Sequence, residues 1–130
     1  YGNNTGVHVE SNGQAKILNS IFSSNEGLAV TADLDASVEV AYTDLHQSQV
    51  GPGVVLKEGI MDADPEFIDP GANNFYYNKK SPCPDKGMPG YPYYEELQTA
   101  ENNGIDLGAF GGTKHSSENN NILMRSSSTR

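Results

Sequence analysis

The acidic side chains come first, because their spacing admits more than one kind of chemistry. Asp62, Asp64, Glu66 and Asp69 fall within one short stretch. Hard cations such as Ca²⁺ want several oxygen ligands at close range. Asp62, Asp64 and Asp69 are therefore the candidate calcium ligands, although the spacing lacks the EF-hand loop and its bidentate glutamate. Two carboxylates roughly 5 to 9 Å apart can cleave a glycosidic bond. Glu39 with Asp44, or Asp33 with Asp35, can meet that distance, but a chain with 17 acidic residues supplies many such pairs. Among the basic groups, Lys16 and Lys57 are the candidates for a base. Tyr91, Tyr93 and Tyr94 offer rings that stack on sugars or cover the edge of a core. With His8, Lys16 and Glu39 they make up the candidate carbohydrate-binding set. His8, His46 and His115 are far apart and lack cysteine partners, so no transition-metal site is expected. No catalytic residue is assigned and no cofactor is expected, Ca²⁺ being the one ion these residues admit.

Charge narrows the partners. The chain carries 17 acidic against 8 basic side chains, a net charge of −9. Such a surface repels phosphate backbones and anionic headgroups, so neither nucleic-acid binding nor membrane insertion is expected. Both arginines, Arg125 and Arg130, lie in the last six residues. Cys83 is the only cysteine, which excludes an internal disulfide and leaves the redox compartment open. Asn3-Asn4-Thr5 fits the N-glycosylation pattern, which matters in a eukaryotic secretory setting.

The elements that would position these groups repeat. Gly6-Val7-His8-Val9 recurs as Gly27-Leu28-Ala29-Val30, 21 positions on, and the segment from Ala15 to Phe22 recurs from Val38 to Leu45, 23 positions on. A weaker third copy runs from Gly53 to about Phe67. Inside each pass the apolar residues alternate. Val7 and Val9 flank His8, Ala15 and Ile17 flank Lys16, and Val38 and Val40 flank Glu39. Alternation of that kind sends the apolar partners inward and the polar ones outward along a strand. Equivalent strands stacked on one another give a parallel sheet, with Lys16 and Glu39 adjacent on its outer side. A small antiparallel sandwich is the alternative, and it would make the repeat a coincidence.

From Asp62 to Gly87 the repeat gives way to four prolines, turn-formers and Cys83. Neither a helix nor a central strand tolerates that many prolines, so the stretch reads as a rigid cover for the end of the stack. Phe67, Ile68, Phe75, Tyr76 and Tyr77 would be its apolar plugs, and Asp64, Asp69 and Asp85 would accept turn N–H groups. A short apolar strand closed by glycines follows over Asn102 to Gly112, and residues 113–130 read as a polar, disordered tail.

Asp62-Ala63-Asp64-Pro65-Glu66-Phe67-Ile68-Asp69-Pro70, Ser81-Pro82-Cys83-Pro84-Asp85-Lys86-Gly87 and Asp106-Leu107-Gly108-Ala109-Phe110, in that order, resemble the C-terminal signature of right-handed parallel β-helix (pectin-lyase-like) proteins. That pattern reads roughly DADPxFxDP, SPCIDAGxP and DIGAFE. Pro84, Lys86 and Gly111 depart from it. The resemblance implies an all-β fold, a parallel β-helix of about three rungs over residues 1–61 with a capping segment over 62–112. It implies that Pro65, Phe67, Pro70, Pro82, Cys83, Asp85 and Phe110 are structural cap residues, Cys83 being buried and no nucleophile. It further implies an extracellular or cell-surface location. Residues 1–6 carry no obvious cap, which predicts that further rungs precede this segment, in the same chain or a partner. The function expected is structural or binding: the segment ends the solenoid and presents an acidic outer face for adhesion or assembly, with polysaccharide a candidate ligand. The alternative is the tail of a polysaccharide lyase or glycoside hydrolase whose groove lies upstream.

Overall fold

The computed structural model describes residues 1–90 and 105–108. Over these residues the chain is all-β apart from one 3-10 turn at Pro70–Ala72. Nine short strands follow in order: β1 (Val7–Val9), β2 (Gln14–Leu18), β3 (Ile21–Ser23), β4 (Val30–Ala32), β5 (Ser37–Ala41), β6 (Asp44–His46), β7 (Val54–Leu56), β8 (Phe67–Asp69) and β9 (Asn74–Tyr77).

The first six strands form two passes that lie one on the other. β1 pairs with β4, β2 with β5 and β3 with β6, all parallel and all shifted by 23 positions: Val7 on Val30, Gln14 on Ser37, Ile21 on Asp44. Lys16 faces Glu39, as the alternation predicts. In the first column the observed shift corrects the expected 21, because Val9 stands on Ala32 and not on Val30. A slip of two residues keeps the same side chains on the same face, so apolar letters alone do not separate the two registers. A single backbone ladder also spans the turns, where Glu26 N–H and Gly27 N–H donate to the carbonyls of Asn3 and Asn4 at 2.9 Å.

A third pass is shorter. Val50 bridges to Val30, β7 pairs with β5 through Val54 on Val38, and Met61 bridges to Asp44. Phe67 therefore does not belong to the third column. It sits in β8, which pairs antiparallel with β9. The Pro52-Gly53 turn carries the chain from the Val50 bridge straight into β7, which shortens the pass.

One corner recurs in all three passes. Asn19, Tyr42 and Gly59 have φ of 53°, 44° and 70°, each at the bend between the second and third columns. Left-handed backbone is easy for glycine, tolerable for asparagine and costly for tyrosine. The Tyr42 N–H donates to the Glu58 carbonyl at 2.8 Å, and a Cβ built on Gly59 would lie 2.4 Å from the Tyr42 ring. The tyrosine ring thus fills the space a side chain at Gly59 would need.

Inward residues make the main core: Val9, Ala29, Val30, Val38, Val40 and Leu45, flanked by Val7, Ile17, Phe22 and Val54. Burial is greatest in the middle pass, where Val30 and Val40 are 0% exposed. Full burial of such a side chain contributes about 1.5–3 kcal/mol. On either side of that pass the cover thins. Val7, Ala15 and Ile17 are half-buried, and Leu56 is 45% exposed.

A second cluster joins Tyr77, Cys83 and Leu107 to Ile21, Met61 and Phe67. Ile21, Asp44 and Met61 form the outward row of the third column, since Phe22 and Leu45 point into the main core. The described residues after Asp62, 63–90 and 105–108, therefore pack along the side of that column. They reach back to the first pass, with Met88 N–H on Asn19 Oδ1 (2.7 Å) and Gly108 N–H on the Asn19 carbonyl (2.8 Å). Ile68, expected as a plug, is exposed, because alternation along β8 turns it away while Phe67 points in. Ile105 to Gly108, expected in a strand, is no strand; it is held by bonds between Gly87 N–H and the Ile105 carbonyl and between Leu107 N–H and the Cys83 carbonyl.

Replacing Gly59 by alanine should destabilise the fold by about 2–3 kcal/mol, combining left-handed strain with displacement of the Tyr42 ring. The matched change Gly53→Ala, at φ 82° with open space around it, should cost only about 1 kcal/mol. Denaturant midpoints of the two variants check the difference, and equal costs would remove Tyr42 from the account.

Candidate functional site

The candidate side chains sort into two outward ladders and one covered row. On β1 and β4, His8 stands opposite Thr31. Its Nδ1 is 2.8 Å from Thr31 Oγ1 and its Nε2 3.5 Å from Asp33 Oδ1. Asp33 Oδ2 accepts from both the backbone N–H and the hydroxyl of Ser11, at 3.0 and 3.3 Å. Hydroxyl, imidazole and carboxylate follow one another in the order of a nucleophilic triad. Nucleophilic catalysis also needs donors for an oxyanion and a cleft that excludes water. His8 and Asp33 are instead about half-exposed, and the group ties the turn after β1 to the turn after β4.

On the three-stranded sheet, Glu39 receives Lys16 Nζ at 3.9 Å and Lys57 Nζ at 3.6 Å. The partners of Glu39 are thus Lys16, adjacent as the alternation predicts, and Lys57, while His8 goes to Asp33. Exposed pairs of this kind contribute a few tenths of a kcal/mol, up to about 1. A shallow groove of about 300 Å³ runs beside them, lined by Lys16, Glu39, Lys57, Tyr42 and Met88 among others.

The candidate calcium ligands go separate ways. Asp62 Oδ1 accepts the Gln47 N–H at 3.2 Å and lies 3.6 Å from His46 Nδ1. Asp64 Oδ1 accepts the Glu66 N–H at 2.8 Å, a turn-closing role that matches the expectation. Asp69 precedes the 3-10 turn without a side-chain cap bond. Among the described residues no group of three or more His, Cys, Asp or Glu side chains is placed to hold a metal ion.

Cap residues divide as follows. Pro65 and Cys83 are fully buried, Phe67 and Tyr77 stack with ring centroids 6.3 Å apart, Pro70 opens the 3-10 turn and Pro82 is half-buried. The Asp85 N–H donates to Asp106 Oδ1 at 2.8 Å. Tyr91, Tyr93, Tyr94 and Phe110 lie outside the described residues, as does the 113–130 tail.

Sequence reasoning missed the role of Asp44. Its expected place is in a carboxylate pair with Glu39, yet it is buried under the covering segment while Glu39 lies on the solvent side of β5. Its Oδ1 accepts the Ala63 N–H at 3.1 Å, and its Oδ2 lies 3.7 Å from Cys83 Sγ. Burial pushes the Asp44 carboxyl above its ordinary range, against the opposing pull of the Ala63 and Cys83 hydrogen bonds. Burial likewise pushes the Cys83 thiol up to about 12. A thiol held there carries almost no thiolate at neutral pH and is chemically inert. The signal that exposes Asp44 is its place in the repeat, where Ile21 stands 23 positions before it.

Tyr1, Phe67 and Phe75 line a cleft of about 450 Å³ with Asn19, Ile21 and Ser23 of the first pass. The Phe75 ring is 5.7 Å from Tyr1 and 5.3 Å from Phe67. Among the described residues no helix is long and apolar enough to cross a membrane.

A thiol reagent should label Cys83 in the native chain at least about a hundred times more slowly than in denaturant, and prompt native labelling would contradict its burial. Glu39→Gln should shift stability by no more than about 0.5 kcal/mol in a denaturant titration, since both of its ion pairs are exposed. Compared with protein-family models, curated proteins and solved structures, the chain finds no match.

Proposed function

We propose that this chain is a structural segment of a right-handed parallel β-helix protein, secreted or displayed on a cell surface, whose first pass stacks on further parallel passes. The observation that carries the reading is the common shift of 23 positions in three separate columns. Sandwiches and meanders have no reason to keep one parallel shift in three separate sheets, whereas stacked passes produce it wherever their turns keep the same length. Right-handed crossover is the overwhelming preference for parallel strands joined in this way.

The first-pass face supports the partner assignment. Val7, Ala15, Ile17 and Phe22 are only half-buried, and β1, β2 and β3 each pair on one edge among the described residues. Further strands laid on that edge would complete the burial that the middle pass already has. They would also close the cleft between Ile21 and the Tyr1–Phe75 rings. They are supplied by the same polypeptide or by a partner. The covering segment shields the third column, and the remaining outer surface is acidic and hydroxyl-rich, suited to adhesion or assembly.

A second reading makes the chain the tail of a polysaccharide lyase or glycoside hydrolase. The Lys16–Glu39–Lys57 ladder favours it, since such enzymes align bases and carboxylates along successive rungs. Here both lysines are engaged with one carboxylate, which leaves neither as a free base.

Native mass spectrometry of the material from its natural source, set beside the 14.0 kDa of this sequence, tests the stacking. The expected species is heavier, as one longer polypeptide or as a tight complex. A lone 14.0 kDa monomer that is cooperatively folded would sink the proposal.

A further inference from the structure

The most deeply buried carboxyl among the described residues belongs to Asp44, which is 0% exposed. Its neighbours in the column, Ile21 above and Met61 below, are apolar and pack against the Tyr77–Cys83–Leu107 cluster. From this row a single side chain reaches two separate parts of the covering segment. Oδ1 takes the N–H of Ala63 on the strap that leaves Met61, and Oδ2 faces the thiol of Cys83 on the proline loop. The other ionisable groups that face it are His46 on its own strand, Asp62 on the strap, and Cys83, with Asp106 beyond the thiol. His46, on the same side of β6, is turned to Asp62 at 3.6 Å, and Asp44 takes part in none of the four ion pairs among the described residues.

We infer that Asp44 is an acid-set latch: protonated, it holds the strap at residues 61–63 and the Cys83 loop against the third column, and ionised, it loosens both. A carboxylate buried without a cation is expensive, whereas a carboxylic acid keeps its carbonyl for the Ala63 N–H and gains a hydroxyl facing the sulfur. The direction in which the Asp44 carboxyl is displaced agrees, being upward and caused first by burial. A carboxyl raised in the folded state holds its proton there after the unfolded chain has lost it. Stability from this group is therefore full at low pH and falls as pH rises from about 3.9 to the raised value. Most acidic groups in a folded protein act the other way, losing a native hydrogen bond or ion pair on acidification.

Amide hydrogen exchange on the whole chain, corrected for intrinsic rates, reads the latch directly. Between pH 4 and pH 8 the protection of the Ala63 and Leu107 amides should fall several-fold, since each pH unit over which only the folded chain keeps the proton changes the equilibrium about tenfold. The Lys57 amide, which bonds the Val40 carbonyl beside the main core, should change less. In Asp44→Asn, which keeps an oxygen for Ala63, the Ala63 and Leu107 responses should flatten. In Cys83→Ala the Ala63 response should persist while the Leu107 response shrinks. Unchanged protection of Ala63 in the parent chain, or an equal fall in Asp44→Asn, overturns the proposal. Should Asp44→Asn not fold, titration of the Asp44 carboxyl carbon by NMR in the parent decides. A midpoint at or below about 4 overturns the latch, and a higher one carries it.

Discussion

Parallel strands laid one on another require each bend of a pass to sit over the corresponding bend of the next. In this chain that requirement is met where the second column turns into the third. Asn19, Tyr42 and Gly59 all adopt left-handed backbone there, three residue types with very different tolerance for it. Tyr42 accepts the strain because its N–H is paired and its ring lies on the bare backbone of Gly59. Once this corner is fixed, β5 is in register with β2 and β6 with β3, and the inward and outward rows follow by alternation. The corner also sets the outer cover, since both the side chain and the carbonyl of Asn19 anchor the segment that shields the third column.

That cover explains why chemistry and burial are so differently distributed. Groups that would interest an enzymologist, His8, Asp33, Lys16 and Glu39, stand in water and pair with one another across adjacent passes. The ionisable groups held in unusual surroundings, Asp44 and Cys83, lie under the cover and touch each other. Perturbed groups often mark active sites, but ones sealed from solvent serve the architecture instead.

How much of this was legible in the sequence depended on what each element required. The pairing of β2 with β5, and Lys16 beside Glu39, were readable because five alternating residues leave little freedom. In the first column the match of Gly6-Val7 to Gly27-Leu28 misled by two positions, a slip that moves no side chain to the wrong face. The αL corner at Tyr42 was not readable, since nothing about a tyrosine announces positive φ; it is imposed by the stack. Nor did the proline-rich stretch reveal where it lies. Its stiffness and its apolar residues fit a lid over the last rung as well as a strip along one side. Only the contacts with Asn19 and Ile21 tell them apart. Asp44 was misassigned for a related reason, because a carboxylate in an acidic chain reads as surface until its place beside Ile21 and Met61 is known.

The shortened third pass bears on how such a chain tolerates change in length. Its second-column strand lies only 16 positions beyond its partner, against 23 in the pass before, and the loss falls in the bends leading into and out of the first column. The bend at Tyr42 and Gly59 loses nothing; Met61 lies 17 positions beyond Asp44, so one residue is gained there. Length is therefore elastic on one side of the coil and rigid on the other. Inserted loops, epitopes or whole modules belong in the turn over 47–53, where the pass is already shortened, and in its counterpart at 33–36 one pass before.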